Sequence, residues 1–250
     1  MWTRTQIKTN AKKALSKNFI YSVGVYIGYL ILSLQIIQIY INARDTFAAF
    51  SEFSILQETY SIPFIPFSVS AEWILHLGML FLLVWFGFML YHIFIVYPLR
   101  IGLQRYFIIN RHEPARFSEL FSVFKTSEYL NIIKISLIMD VKIFLWTVCF
   151  IIPGIIKSLE YGMIPNILAE NPGIDRKRVF ELSKAMTDGE KMEMFWLSLS
   201  FFGWILLAVI TVIGTFFVDV YMIATDVELY AVLKDKVLDS EIASELDFQS

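Results

Sequence analysis

Apolar residues occur in long runs whose length matches that of a membrane-crossing helix. A helix rises about 1.5 Å per residue and needs about 20 mainly apolar residues to cross the hydrocarbon core of a bilayer. Four runs have roughly this length, and two shorter ones follow Pro153-Gly154 and Gly214. The chain is therefore predicted to be all-α, a polytopic transmembrane helical bundle. The six predicted spans are Phe19–Ile41, Trp73–Tyr97, Ile132–Ile152, Ile155–Glu170, Phe195–Ile213 and Phe216–Leu233.

The charges between these runs predict how the bundle is oriented. Lysine and arginine are enriched in cytoplasmic loops of membrane proteins. They are numerous before residue 18 and in loops 98–131 and 171–193, whereas loop 42–72 has one arginine and four acidic residues. Both termini are therefore predicted to be cytoplasmic, with hairpin tips at Pro153-Gly154 and Gly214. A version with five spans, or with a re-entrant segment, fits the same pattern.

Composition supports a membrane protein with one main domain. Hydrophobic residues make up 57% of the 250 positions and charged residues 18%, against about 45–50% and 25% in soluble domains. The predicted division is a basic amphipathic helix at 1–18, a transmembrane domain at 19–233 and a cytoplasmic tail at 234–250. Cys149 is the only cysteine, which excludes an intramolecular disulfide, and it is expected to be buried.

Amphipathic helices are predicted on the cytoplasmic side. Near the N-terminus, Ile7, Ala11 and Leu15 repeat at helical spacing beside a row of basic residues. Such a helix can bind an anionic leaflet, which makes Lys8, Lys12 and Lys13 candidate membrane-surface contacts. An ordinary positive flank explains the pattern equally well.

Two further cytoplasmic helices are expected in the loops. In the loop 98–131, Phe117, Leu120, Phe121 and Phe124 form an aromatic face that should pack against the bundle. In the loop 171–193, Asp175 is a predicted N-cap for a helix with Val179, Leu182 and Met186 on one face.

Motifs for catalysis or cofactor binding are missing from the sequence. His76 and His92 share a predicted helix, but they are sixteen positions apart, and that spacing places them about 160° apart around the helix. No HExxH motif, paired CxxC or phosphate-binding loop occurs. The chain is therefore expected not to be an enzyme and to bind no cofactor or metal. The lipid bilayer and a membrane or cytoplasmic protein are the expected partners, and nucleic acid is not.

Ionisable residues inside the predicted spans form the candidate polar site. Charges at this depth are costly and are usually paired or functional. The candidates are Lys142, Asp226, Asp219, Asp140 and Tyr230. Lys142 and Asp226 both fall near the middle of a predicted span, so a buried pair between them is expected. Asp219, Asp226 and Tyr230 share one helix face, which either lines a hydrated path or forms the inward seam of a tight bundle.

The second half of the chain resembles a known family of bacterial membrane proteins. The matching residues are Ile152-Pro153-Gly154-Ile155-Ile156-Lys157, Tyr161, Met163, Pro165, Ile167-Leu168-Ala169-Glu170-Asn171-Pro172, Ser183, Met186, Gly189, Lys191, Phe195, Leu199-Ser200-Phe201, Gly203-Trp204, Thr211, Gly214, Tyr221, Thr225, Tyr230 and Leu233. Their order is similar to that in the family called domain of unknown function number 975, found mainly in Gram-positive bacteria. The family is also distantly similar to the membrane domain of some glycerophosphodiester phosphodiesterases.

The resemblance implies a multi-pass fold in the bacterial cytoplasmic membrane and no known activity. Two functional hypotheses follow from the residues. The first is a non-enzymatic partner, regulatory or envelope-associated protein, because catalytic groups are missing and the cytoplasmic helices are prominent. The alternative is a small transporter or channel-like protein for an ion, peptide or lipid, because of the charges at depth.

Overall fold

A computed structural model describes residues 2–35, 71–211 and 214–249, without the side chains of 71–75, 77 and 209–211. Helices dominate these residues and no strand occurs among them, which confirms the all-α class. The α-helices are α1 Arg4–Ser16, α2 Phe19–Leu32, α3 Ala71–Tyr91, α4 Tyr97–Asn110, α5 Tyr129–Cys149, α6 Ile151–Glu160, α7 Ile164–Glu170, α8 Arg176–Thr187, α9 Lys191–Leu199, α10 Phe202–Thr211 and α11 Gly214–Asp239. A π-helical turn, His92–Val96, joins α3 to α4, and 3-10 helices occupy Phe117–Lys125 and Glu245–Phe248.

Two of the described helical segments are long and apolar enough to cross a membrane. They are Gly78–Asn110 and Lys191–Ala208, and α1 with α2 adds a third if this pair, bent by 93°, counts as one span. These segments overlap three of the six predicted spans. Helices α5 and α11 each carry three or more charged residues, and α6 and α7 are too short. Six spans therefore stay a prediction.

The predicted hairpin around Pro153-Gly154 exists, but its tip lies elsewhere. The chain reverses at Phe150, whose extended backbone separates α5 from α6. Pro153 and Gly154 lie in the first turn of α6, where a proline needs no hydrogen-bond partner for its missing N–H. Gly154 is buried, and a Cβ there would overlap Thr147 of α5. Its role is therefore close helix packing. Cys149, beside the tip, is exposed rather than buried.

The predicted span Ile155–Glu170 is wrong as a single helix. It is divided by a turn at residues 161–163 into α6 and α7. Every residue of α7 from Ile164 to Ala169 is buried, among α4, α5, α8 and α11. A seven-residue helix is not stable alone in water, so tertiary packing holds α7 in place.

The helices predicted near the N-terminus and in the loops 98–131 and 171–193 are present. Ile7, Ala11 and Leu15 are the buried face of α1, which packs along α11. Asp175 caps α8 by accepting hydrogen bonds from the backbone N–H groups of Lys177 and Arg178. The aromatic loop segment is a 3-10 helix rather than an α-helix, and it packs on α4.

The C-terminal segment is attached to the helical body by an ion pair. Arg178 of α8 donates two hydrogen bonds to Asp247, at 2.9 and 2.8 Å. This guanidinium lowers the pKa of Asp247 from 3.8 to about 2. The stabilisation is therefore complete above the ordinary carboxyl pKa and is lost as the pH falls towards 2. Helix α11 continues to Asp239, so the predicted boundary at 233 falls inside a helix.

Gly102 gives a direct test of the packing between α4 and the aromatic 3-10 helix. A Cβ at Gly102 would overlap the backbone carbonyl of Leu120, whereas one at Gly24 of α2 meets no atom within 4 Å. We expect Gly102→Ala to lower the free energy of unfolding by about 1–3 kcal/mol, the usual cost of overpacking. Gly24→Ala is the control and should leave stability unchanged or slightly higher. Thermal melts of the protein in detergent, followed by circular dichroism, measure both, and equal melting temperatures would contradict the packing described.

Candidate polar site between the helices

Asp226, near the middle of α11, is the centre of a hydrogen-bond network that joins three helices. Its carboxylate accepts a hydrogen bond of 2.9 Å from the side-chain amide of Asn166 on α7. A second, of 3.4 Å, comes from the amide of Gln104 on α4. Asn166 is completely buried. The network therefore places a carboxylate between two amide groups inside the bundle.

The two amides that bind Asp226 are only half satisfied. The side-chain oxygens of Asn166 and Gln104 are buried and have no hydrogen-bond partner among the described residues. A buried acceptor without a partner costs about 1–3 kcal/mol. Rotating either amide would place an oxygen against the carboxylate, so the present orientation is the better one. Asp226 also lines a cavity of about 180 Å³, which is large enough to hold water.

The other predicted residues on the same face of α11 contact different helices. Asp219 accepts a hydrogen bond of 2.9 Å from Tyr26 of α2. Tyr230 donates one of 2.7 Å to Glu170 at the end of α7, and Lys234 forms an ion pair of 2.7 Å with the same carboxylate. The polar stripe therefore lies where α11 contacts its neighbours.

Asp140 and Lys142 of α5 are separated from that stripe. Asp140 accepts a hydrogen bond of 2.5 Å from Tyr97 at the start of α4. The ammonium of Lys142 lies 3.7 Å from the centre of the Phe180 ring on α8, a distance at which a cation is attracted to the ring face. The structure brings neither residue into contact with Asp226.

The predicted Lys142–Asp226 pair is therefore wrong. The prediction assumed that the whole run Ile132–Ile152 lies in the bilayer, with Lys142 at its centre. The buried residues of α5 all lie in its first half, where this helix packs against the helical body; they are Ile132, Ile133, Ile135, Ser136 and Met139. Lys142 lies beside α8, against Phe180.

The basic residues of α1 lie at the surface, on a helix whose apolar face is buried against the protein. Lys8 is half-buried and contacts the ring of Phe201 at 4.1 Å. Lys12 is exposed and lies 5.7 Å from the ring of Tyr221. Lys13 is exposed. Since the apolar face of the helix is covered by protein, only the basic face is available to a membrane surface.

Several charged contacts were missed by the sequence analysis. Glu228 is buried and forms a bidentate ion pair with Arg111, with nitrogen–oxygen distances of 2.9 and 3.4 Å. Glu160 binds Lys157, as its spacing indicates, but also Lys191 of α9 at 3.0 Å. Sequence spacing can reveal only the local partner, because Lys191 is thirty-one positions away. Among the described residues no cluster suits a metal ion.

One family model matches part of the chain. Residues 148–236 match the family model described as "Protein of unknown function (DUF975)". The matched segment runs from the end of α5 into α11 and includes both Asn166 and Asp226. The match confirms the expected resemblance over this part of the chain, and the distant similarity to phosphodiesterase membrane domains stays a prediction. No curated protein and no solved structure matches the chain.

The network around Asp226 predicts how substitutions combine. Asp226→Leu leaves two buried amides without their acceptor and should lower the free energy of unfolding by about 1–3 kcal/mol per lost partner. Asp226→Asn keeps an acceptor oxygen and should cost less. Lys142→Met loses a cation–ring contact worth about 0.5–1 kcal/mol. Because the two side chains do not interact, the double variant Lys142→Met, Asp226→Leu should show the sum of the single effects to within about 0.5 kcal/mol.

Denaturant unfolding in detergent, followed by tryptophan fluorescence, measures all four variants. A double variant that is clearly more stable than Asp226→Leu alone would mean that the two charges do compensate each other, against the geometry described.

Proposed function

We propose that this chain is a multi-pass protein of the bacterial cytoplasmic membrane that acts without catalysis, as a partner or regulatory component. One observation carries the proposal: the carboxylates predicted at depth, Asp140, Asp219 and Asp226, each accept hydrogen bonds from neighbouring helices. They are used to join helices rather than to form a convergent reactive set. The membrane placement is supported by the apolar helices and the positive loops.

The outer surface of the longest apolar helix supports the membrane placement. From Met79 to Leu90 along α3, the large hydrophobic side chains are exposed to the surroundings. A continuous surface of this kind is rare on a soluble monomer and is the expected lipid-facing surface of a transmembrane helix. The proposal places both termini and the loops 98–131 and 171–193 in the cytoplasm, the side that their lysine and arginine content favours.

The α5–α6 hairpin is proposed to be re-entrant rather than to cross the membrane. Helix α6 has 10 residues and is about 15 Å long, half the thickness of the hydrocarbon core. Crossing would need α7 as a continuation, but α7 is buried inside the helical body. A hairpin that enters and leaves on the cytoplasmic side keeps the topology of both flanking loops unchanged.

Cys149 provides a native probe of this topology, because it is exposed beside the hairpin tip and is the only cysteine. In intact cells, a membrane-impermeant maleimide should not label Cys149. In a Cys149→Ser background, Ser51→Cys should be labelled from outside, and Lys177→Cys only after permeabilisation. Labelling of Cys149 in intact cells would show that the hairpin crosses and would favour six spans. External labelling at position 177 would overturn the proposed orientation.

The cytoplasmic side offers a candidate binding surface for a protein partner. A cavity of about 720 Å³ opens between the end of α4, the end of α11 and the C-terminal 3-10 helix. Its walls carry charges of both signs, including Arg111, Glu113, Lys234 and Asp235. Sites for small molecules are mostly apolar and enclosed, whereas an open surface of mixed charge suits a polar protein segment.

Site-specific photo-crosslinking tests the partner role. A photoreactive residue at His112, on the rim of this cavity, should give a discrete protein adduct in cells, and one at Leu82 on α3 should give only lipid adducts. Glu113→Lys, on the same rim, should weaken the His112 adduct. Glu181→Lys makes the same charge change on α8, away from the cavity, and should not. If neither position yields a protein adduct, or both lysine variants act alike, the partner role at this surface fails.

The transporter is the second candidate, and the cavity at Asp226 is the observation that favours it. A carboxylate beside two unpartnered amide oxygens resembles a place where a proton or cation could bind. Proton or sodium flux in proteoliposomes that Asp226→Asn abolishes, without loss of folded protein, would favour transport over the partner role.

A further inference from the structure

Two adjoining cavities lie between α1 and the pair of helices α10 and α11. The first, of about 510 Å³, is lined by the basic and hydroxyl side chains of α1 together with Ser200, Trp204 and Tyr221. The second, of about 490 Å³, is lined mainly by apolar residues, among them Leu15, Phe217 and Val218. Lys12, Trp204 and Tyr221 line both cavities. The two cavities therefore form one crevice with a cationic part and an apolar part.

The cationic part has more positive charge than the protein neutralises. Arg4, Lys8 and Lys12 follow each other at intervals of four residues and so lie in one row along α1. Arg4 has a distant acidic partner, Glu193, at 3.7 Å. Within the described part of the chain, neither Lys8 nor Lys12 forms an ion pair. Lys8 instead approaches the backbone oxygen of Ser200 at 3.4 Å. None of the described residues that line this cavity is acidic.

The apolar part lies on the side of the crevice nearer the start of α11. Helix α11 begins at Gly214, Phe217 follows in its first turn, and Tyr221 comes one turn later. Along α1, the lining changes from Arg4, Lys8 and Lys12 in the first cavity to Lys12 and Leu15 in the second. An amphiphile with an anionic head and apolar chains has the same order of charge and hydrophobicity. Trp204, which lines both parts, belongs to a residue type enriched at the boundary between lipid headgroups and acyl chains.

We propose that this crevice binds one anionic phospholipid, with its phosphate at Lys8 and Lys12 and an acyl chain against Phe217 and Val218. The inference rests on the proposed membrane placement and adds a specific ligand to it. A zwitterionic lipid would bring its own cation next to the lysines. A soluble phosphate compound would leave the apolar cavity unfilled. The bound lipid would hold α1 against α10 and α11 by neutralising charges that the protein leaves unpaired.

Paired charge variants of the full-length protein test the site. Lys8→Gln with Lys12→Gln removes both unpaired lysines of the crevice. Lys13→Gln with Lys17→Gln makes the same change in net charge on exposed residues of the same region that line neither cavity. Binding of a phosphatidylglycerol labelled on one acyl chain is measured in detergent micelles, with labelled phosphatidylcholine as the comparison lipid. Gel filtration and circular dichroism establish that each variant is folded.

We expect the unmodified protein to prefer phosphatidylglycerol. The Lys8, Lys12 variant should bind it about thirtyfold more weakly, since each lysine near a lipid surface contributes about 1 kcal/mol. The Lys13, Lys17 variant should bind nearly as the unmodified protein does. Val218→Trp, which fills the apolar cavity, should weaken lipid binding without changing net charge. Equal losses in the two paired variants, or equal binding of both lipids, would overturn the proposal.

Two further measurements separate the possible causes of failure. Glycerol phosphate at millimolar concentration should not displace the labelled lipid, and efficient displacement would show that the crevice recognises only a soluble phosphate group. Membranes from cells that express the protein are also treated with detergent and, separately, with alkaline carbonate. Only the detergent should release the protein. A chain that carbonate extracts would overturn the membrane placement itself, whereas an integral protein without selective lipid binding would overturn only this site.

Discussion

The contact between Asp226 and Asn166 holds α7, the shortest of the described α-helices, inside the bundle. Helix α7 is too short to form alone, and its residues from Ile164 to Ala169 are buried. A buried carboxylate and a buried amide are each costly unless they bind each other. Their hydrogen bond therefore specifies which face of α11 meets α7. Gln104 adds α4 to the same contact, so three helices share one polar centre.

Polar and charged contacts outside this centre join further helices of the body. Glu170 connects α7 to α11 through Tyr230 and Lys234, and Glu160 connects α6 to α9 through Lys191. Pairs of this kind add little net stability, because desolvation offsets most of the attraction. Breaking one is costly, however, since the other charge is left buried. They therefore favour one arrangement of helices over others that bury a similar apolar area.

The use of polar residues as helix contacts shapes the functional proposal. Side chains that looked in the sequence like a path through the membrane are engaged with neighbouring helices. Two surfaces among the described residues are open to a ligand or partner: the mixed-charge cavity at the ends of α4 and α11, and the crevice beside α1. The first suits a polar protein segment and the second an anionic lipid. A protein that binds both would couple a cytoplasmic partner to the membrane surface through α11, which lines both sites.

The sequence by itself determined the features that depend on local spacing. Apolar periodicity predicted α1 with its buried face at Ile7, Ala11 and Leu15. Asp175 correctly predicted the start of α8. The apolar runs predicted helices that are long enough to cross a membrane. These features are readable because a helix repeats every 3.6 residues and its caps act within one turn.

Only the tertiary structure decided which parts of the apolar runs are covered by protein. An apolar residue has the same sequence signal whether it faces lipid or a neighbouring helix, so Ile155–Glu170 read as a span although its second half is buried in the body. The error at Lys142 has the same origin, because its depth was counted along a run that begins inside the protein. The partners of Asp226 lie sixty and 122 positions away. No local pattern encodes such contacts, because they arise only when α4, α7 and α11 pack together.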